Sequence, residues 1–269
     1  MIIATHGILA SAGGIVYDAD AQAFFDRVTT AGGSLSNTEK TAVIQLVLDL
    51  KGYSIWSKMK AIYPMVGASS AACAQNLKSS SFTGTFSGGW TYASTGVRPN
   101  GSTGFFNTAL NSSTNLTKTS THLCVYVRNN SNTGSPYDMG NGSGGMTTDA
   151  TYLITRYSSN TAFIGIADSS YATSASSTDS RGFWCGTTNG SASQILYRNS
   201  SSFATGTAGS GNLANRNLYL GAANDGGTAF FFADKEYALC SIGDGLSGTQ
   251  ASNFYTAVQA FQTTLSRQV

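Results

Sequence analysis

Apolar positions along this chain change their period twice. From residue 18 to about 66 they recur every three or four positions, and from about 67 to 246 they form short runs between Gly, Ser, Thr and Asn clusters. After Ser247 the helical spacing returns. In the first part Ala21, Phe24, Phe25 and Val28 make one apolar stripe, which Gly32 and Gly33 stop. Ser36 and Glu39 have capping-box spacing, in which each side chain satisfies the other residue's orphan backbone N–H. Val43, Leu46, Val47 and Leu50 continue that second helix as its buried stripe. The block I-W-S-K-M-K-A-I-Y over 55–63 predicts a short third helix, ended before Pro64.

The middle of the chain predicts strands at 82–92, 104–110, 122–128, 151–157, 162–167, 182–187, 194–198, 217–221, 228–233 and 236–242. In 122–128, Leu123, Val125 and Val127 alternate with His122, Cys124, Tyr126 and Arg128, the pattern of a half-buried strand. Short strands bounded by turn clusters point to a β-sandwich rather than to alternating β/α units. Ser247 and Gln250 cap a last helix, along which Phe254, Val258, Phe261 and Leu265 keep helical spacing. The organisation expected is an apolar anchoring arm over 1–17, a helical segment over 18–66, and a sandwich with a closing helix over 67–269.

Charge removes whole classes of function. Lys and Arg number 15 and Asp and Glu 13 in 269 residues, or 10% charged against a usual quarter. Without a basic cluster there is no electrostatic footprint for nucleic acid. No apolar run is long enough for a membrane span. An uncharged polar surface favours assembly with sister subunits as a homo-oligomer. Cys73, Cys124, Cys185 and Cys240 are spaced too widely for a CxxC metal site, and three of them sit in strand-like runs. They read first as small buried residues, with disulfides as the alternative.

Candidate chemistry is sparse. The only glutamates are Glu39 and Glu236, so Asp234-Lys235-Glu236 is the one close carboxylate pair available for glycoside hydrolysis, and the Glu-x-Asp-x-Glu spacing is missing. No enzyme is expected, and the two histidines assemble no triad or metal set. Sugar sites pair aromatic faces with polar edges, which makes Trp90, Tyr137 and Trp184 the candidate carbohydrate residues, with Tyr92 and Tyr171 also beside polar turns. Asp225, in Asn224-Asp225-Gly226-Gly227, is a candidate Ca²⁺ ligand or else part of a hairpin turn. No other cofactor is expected.

Two resemblances add to these readings. Gln194–Asn199 with Ser200-Ser201, then Leu218-Tyr219-Leu220-Gly221, then Gly245-Leu246-Ser247 leading into a helix, resemble the closing segment of laminin-G-like domains. That implies a mainly β, two-sheet antiparallel jelly-roll sandwich of concanavalin A-like type, with N-terminal helices and a C-terminal helix. The W-S-K-M-K-A-I-Y-P block, N-L-K-S-S-S-F-T-G-T-F-S-G-G-W, T-D-S-R-G-F-W and F-Y-T-A-V-Q-A-F-Q are similar to a module of tailed-bacteriophage virion proteins. This implies a non-enzymatic structural component made in the bacterial host cytoplasm and located in the virion. Head decoration, head fibre or tail accessory protein are the positions implied. Its partners would be other virion proteins and, through the sandwich, host-surface glycan; the alternative is a lectin-like receptor-recognition module. Deleting residues 1–17 is expected to abolish incorporation into particles while leaving the β circular-dichroism signal intact. Co-sedimentation with particles measures this, and unchanged incorporation would sink the anchoring role.

Overall fold

Strand pairing in the computed structural model, which describes residues 17–269 and a small hairpin before them, sorts the chain into two large sheets. The hairpin is β1 (Ala10–Ser11) with β2 (Gly14–Ile15). The rest of the arm expected over 1–17, Tyr17 apart, lies outside the described residues. The first sheet has eight strands: β3 (Met59–Tyr63), β5 (Trp90–Ala93), β6 (Gly96–Pro99), β8 (Ser120–Val127), β13 (Gly182–Asn189), β14 (Ser193–Arg198), β15 (Ser201–Thr207) and β19 (Tyr237–Gly243). Their order is β15-β14-β13-β8-β19-β6-β5, with β3 also paired to β19. The second has nine: β4 (Thr85–Ser87), β7 (Phe105–Asn111), β9 (Met139–Ser143), β10 (Thr148–Ile154), β11 (Thr161–Gly165), β12 (Ser174–Ser176), β16 (Asn217–Leu220), β17 (Ala223–Asp225) and β18 (Thr228–Phe230). Here the order is β12-β11-β10-β9-β16-β7-β4; β17 runs parallel to β9, and every other pairing is antiparallel. This is the two-sheet, mainly β sandwich expected from the turn-punctuated runs.

Three helices lie on one side only. α1 (Ala19–Thr30) starts at Asp18, whose carboxylate accepts from Asp20 N. α2 (Asn37–Gly52) and α5 (Gly248–Thr264) both carry the complete capping boxes their sequences predict. Two single-turn helices, α3 (Ser70–Cys73) and α4 (Ser112–Asn115), occur in connections. The apolar stripes of α1, α2 and α5 pack against Cys124, Tyr126, Phe183 and Cys185 on the outer face of the eight-stranded sheet. On its inner face Leu123, Val125, Trp184 and Ile242 meet Phe106, Met139, Leu153 and Ile164 of the other sheet.

This covering corrects the reading of residues 122–128. β8 is buried along both faces from Thr121 to Val127, so its alternation separates two apolar environments rather than core from solvent. The expected third helix is also corrected. Trp56–Lys58 is a single 3-10 turn, and Met59–Tyr63 is a strand against β19, so the segment over 18–66 is not helical to its end. The period there is two: Ile62 enters the helix-side core while Ala61 and Tyr63 enter the inter-sheet core. The strand expected over 82–92 is split between the sheets. Gly88, at φ +71°, makes the turn, and a Cβ there would meet Thr103 O at 2.0 Å.

Cys124 and Cys185 are direct partners across β8 and β13 and are joined as a disulfide, the alternative left open by sequence. Cys73 and Cys240 are buried thiols; burial pushes Cys73 up to about 12 and raises Cys240 as well. Among the described residues no helix is long and apolar enough to cross a membrane.

His122 is fully buried on β8, donating from Nδ1 to Asp244 O at 2.6 Å and accepting at Nε2 from Ser241 Oγ at 3.2 Å. Burial holds the ring neutral and pushes its pKa down from 6.5 to about 4. Between those values the unfolded chain binds the extra proton, so stability falls as pH drops through the window. The loss should approach about 3 kcal/mol at the acid end, on the order of 1.4 kcal/mol per unit. Urea unfolding of wild type and His122→Gln at pH 7 and pH 4.5 measures it, and equal pH dependence in both would refute it.

Candidate functional site

Among the described residues, no helix packs on the outer face of the nine-stranded sheet, which is closed by aromatic side chains. Alternation on β10 places Tyr152 and Ile154 outward with Phe163 of β11, while Leu153 and Ile164 enter the inter-sheet core. Glycines form the floor. A Cβ on Gly140 would lie 3.3 Å from Tyr137 Cδ1, and one on Gly165 would lie 2.4 Å from Tyr152 Cζ. Tyr171 folds back and stacks on Tyr152, with ring centroids 4.8 Å apart. The Tyr137 hydroxyl donates to Tyr171 Oη at 2.5 Å, and Tyr171 donates onward to Met146 O at 3.0 Å. Burial raises all three phenols above their ordinary pKa, so they act as neutral groups. Between Tyr137, Ile154, Tyr157, Phe163 and Tyr171 lies a cleft of about 210 Å³.

A second cleft, of about 500 Å³, lies at the edge strand β5 and its neighbour β6. Trp90, Thr91, Arg98, Pro99, Asn100 and Asp234 line it. Trp90 is half-buried, set edge-on to Phe86, and its indole N–H donates to Ser87 O at 3.0 Å and Phe105 O at 3.3 Å. Arg98 donates from Nε to Asp234 O at 2.8 Å, and its side chain is 52% exposed. Asp234 Oδ1 accepts from Ser131 Oγ at 2.5 Å, while Oδ2 stands 3.8 Å from Arg98 Nη2. Asn100 Oδ1 is occupied in the turn, accepting from the backbone N–H of Ser102, Thr103 and Gly104.

The sequence candidates therefore separate. Trp90 is in the larger cleft and Tyr137 in the aromatic one. Trp184 is in neither and is corrected to a core residue. It is fully buried on a central strand, donates to Ser180 O at 2.8 Å, and packs edge-on against Phe203. Asp225 closes a turn: its carboxylate accepts from Gly145 N at 2.9 Å and Met146 N at 3.4 Å, and Gly226-Gly227 at positive φ turn β17 into β18. Among the described residues no three His, Cys, Asp or Glu side chains converge on a metal position. The Asp234-Lys235-Glu236 triplet is divided. Lys235 is fully buried on Asp138, and Glu236 pairs with Arg128 at 3.1 Å. Tyr157, Phe163 and Arg98 were not singled out from sequence. Alternation of Tyr152, Ile154 and Phe163 with Leu153 and Ile164 was the available signal for the aromatic face.

No protein-family model and no curated protein matches the chain. Among solved structures the chain is similar to domain 4 of AbnA, a GH43 extracellular arabinanase from Geobacillus stearothermophilus, in complex with arabinotriose. The TM-score is 0.50 at 14% identity, over 73% of this chain and 98% of that one. It is also similar to the NanB sialidase from Streptococcus pneumoniae, with TM-score 0.38 at 13% identity over 51% of this chain and 24% of that chain. The botulinum neurotoxin serotype D binding domain gives 0.46 at 10% identity, over 76% and 52%. The chain thus spans about a quarter of the sialidase and half of the toxin domain. The likeness to the arabinanase domain is one of fold: a β-sandwich.

The glycine floor makes a direct test. Gly165→Ala should displace the Tyr152 ring, costing about 1–3 kcal/mol and weakening the near-ultraviolet tyrosine dichroism. An unchanged melting temperature and spectrum would show that the floor is not close-packed.

Proposed function

We propose that this protein is a non-catalytic carbohydrate-binding β-sandwich module that holds a saccharide in the cleft beside Trp90. The observation that carries the reading is the composition of that cleft. A half-buried indole, a guanidinium, a carboxylate and a hydroxyl share about 500 Å³. A sugar ring presents C–H groups on its face and hydroxyls on its edge. With its N–H already bonded to Ser87 and Phe105, the indole acts through its ring. The Arg98 Nη groups and the Thr91 hydroxyl supply donors, and Asp234 Oδ2 supplies an acceptor. The arabinanase domain that shares the fold was solved with arabinotriose, which supports the same ligand class here. Against hydrolysis, Glu236 is paired with Arg128 and separated from Asp234 by the buried Lys235, so these two carboxylates are not arranged as acid and nucleophile.

A place in a tailed-phage virion, as a homo-oligomeric component that turns the sandwich toward host-surface glycan, rests on the sequence resemblance alone. Titration of a saccharide panel that includes arabinotriose, followed by calorimetry, tests the binding reading. Trp90→Ala and Arg98→Ala should each weaken the best ligand about tenfold, equivalent to about 1.4 kcal/mol. Failure of the wild type to bind any saccharide, or unaltered binding by both variants, would overturn it.

A further inference from the structure

The aromatic cleft on the outer face of the nine-stranded sheet is built differently from the cleft beside Trp90. Its walls are Tyr137, Tyr157, Phe163 and Tyr171, with Ile154 at the base. The rings stand across one another: Phe163 is at 90° to Tyr171 and at 87° to Tyr157, with centroids 5.9 and 6.0 Å apart. Tyr137 is tied to Tyr171 through their hydroxyls, which fixes one corner of the box. At about 210 Å³ the space is below the roughly 300–1,000 Å³ of sites for drug-sized ligands, so it suits a single small group.

Its polar atoms suit few ligands. The Tyr137 and Tyr171 hydroxyls are committed to each other and to Met146 O. No amide, carboxylate or guanidinium lines the cleft to pair with a sugar's hydroxyls. Two carboxylates stand on the segments beside the box: Asp225 accepts from the N–H of Met146, whose carbonyl Tyr171 bonds, and Asp168 accepts from Ser170, the residue before Tyr171. Arg156, which precedes Tyr157, is turned away onto Asn130 and Asn160. Aromatic faces with carboxylates on the neighbouring segments attract a cation, and an alkylated ammonium needs no hydrogen bonds in return.

We infer that this box of Tyr137, Tyr157, Phe163 and Tyr171 is a second binding site, which takes a quaternary or alkylated ammonium group. The inference does not rest on the saccharide reading of the Trp90 cleft. The probes are choline and tetramethylammonium, against 3,3-dimethylbutan-1-ol as the uncharged analogue of choline's shape. Titration into the full chain, followed by tyrosine fluorescence and NMR, should show both cations binding and the neutral analogue at least about tenfold weaker.

Phe163→Ala should weaken choline by a similar factor, and Tyr53→Phe, an exposed tyrosine outside both clefts, should leave it unchanged. Because Phe163 is partly buried, Tyr157→Leu at the half-buried rim serves as a second loss variant, with melting temperatures taken for all three. Equal binding of choline and its neutral analogue, absence of choline binding by the wild type, or full binding by folded Tyr157→Leu would overturn the site. Choline binding that persists in Trp90→Ala, whatever becomes of saccharide binding, separates the two sites.

Discussion

Everything in this molecule is arranged around the double burial of one sheet. α1, α2 and α5 cover the outer face of the eight-stranded sheet, and the nine-stranded sheet covers its inner face. β8, β13 and β19 are consequently enclosed on both sides, and any polar group there must find a partner inside the protein. His122 does so with Asp244 and Ser241, and Thr121 N with Thr188 Oγ1. Arg267, also fully buried, donates to the carbonyls of Pro64, Met65 and Ala238 and to Gln262 Oε1, tying the end of the chain to β3 and β19. Losing one of these partners would strand a buried polar group, which costs more than the bond itself contributes.

Among the described residues, the same asymmetry leaves the outer face of the other sheet without a helical cover. With so few charged residues, this face is closed by tyrosine and phenylalanine rather than by ion pairs. Rings need backbone to lie flat against, which is why Gly140 and Gly165 stand beneath Tyr137 and Tyr152. The box and its small cleft follow from that packing, whereas the larger cleft arises where the sandwich ends at the edge strand β5 and its neighbour β6.

Between these regions a buried ion pair joins the sheets. Lys235 Nζ donates to Asp138 Oδ2 at 2.9 Å, Thr155 Oγ1 at 3.1 Å and Arg156 O at 3.2 Å, and Tyr237 donates to Asp138 Oδ1 at 3.0 Å. All three ammonium hydrogens are satisfied, the condition under which a buried pair is tolerated. In the connection just before β19, Lys235 turns inward while Asp234 and Glu236 turn to Arg98 and Arg128. Three adjacent charges thereby acquire three different roles.

Local pattern alone determined the three long helices and most strands. The stripes of α1 and α2 and both capping boxes depend on spacings within a few residues, so they were legible in the sequence. β9, M-G-N-G-S, and β15, S-S-F-A-T-G-T, were not, because small polar residues give no apolar alternation and their pairing comes from distant partners. Aromatic residues were visible as candidates, but their fates were not: Trp184 went to the core, Trp90 to an edge cleft and Tyr137 to the box. Sequence determined that the chain would make helices and a sandwich. Only the tertiary structure decided which sheet the helices would cover, since burial of a strand's second face depends on residues more than a hundred positions away. That choice also decided which aromatic rings line the clefts.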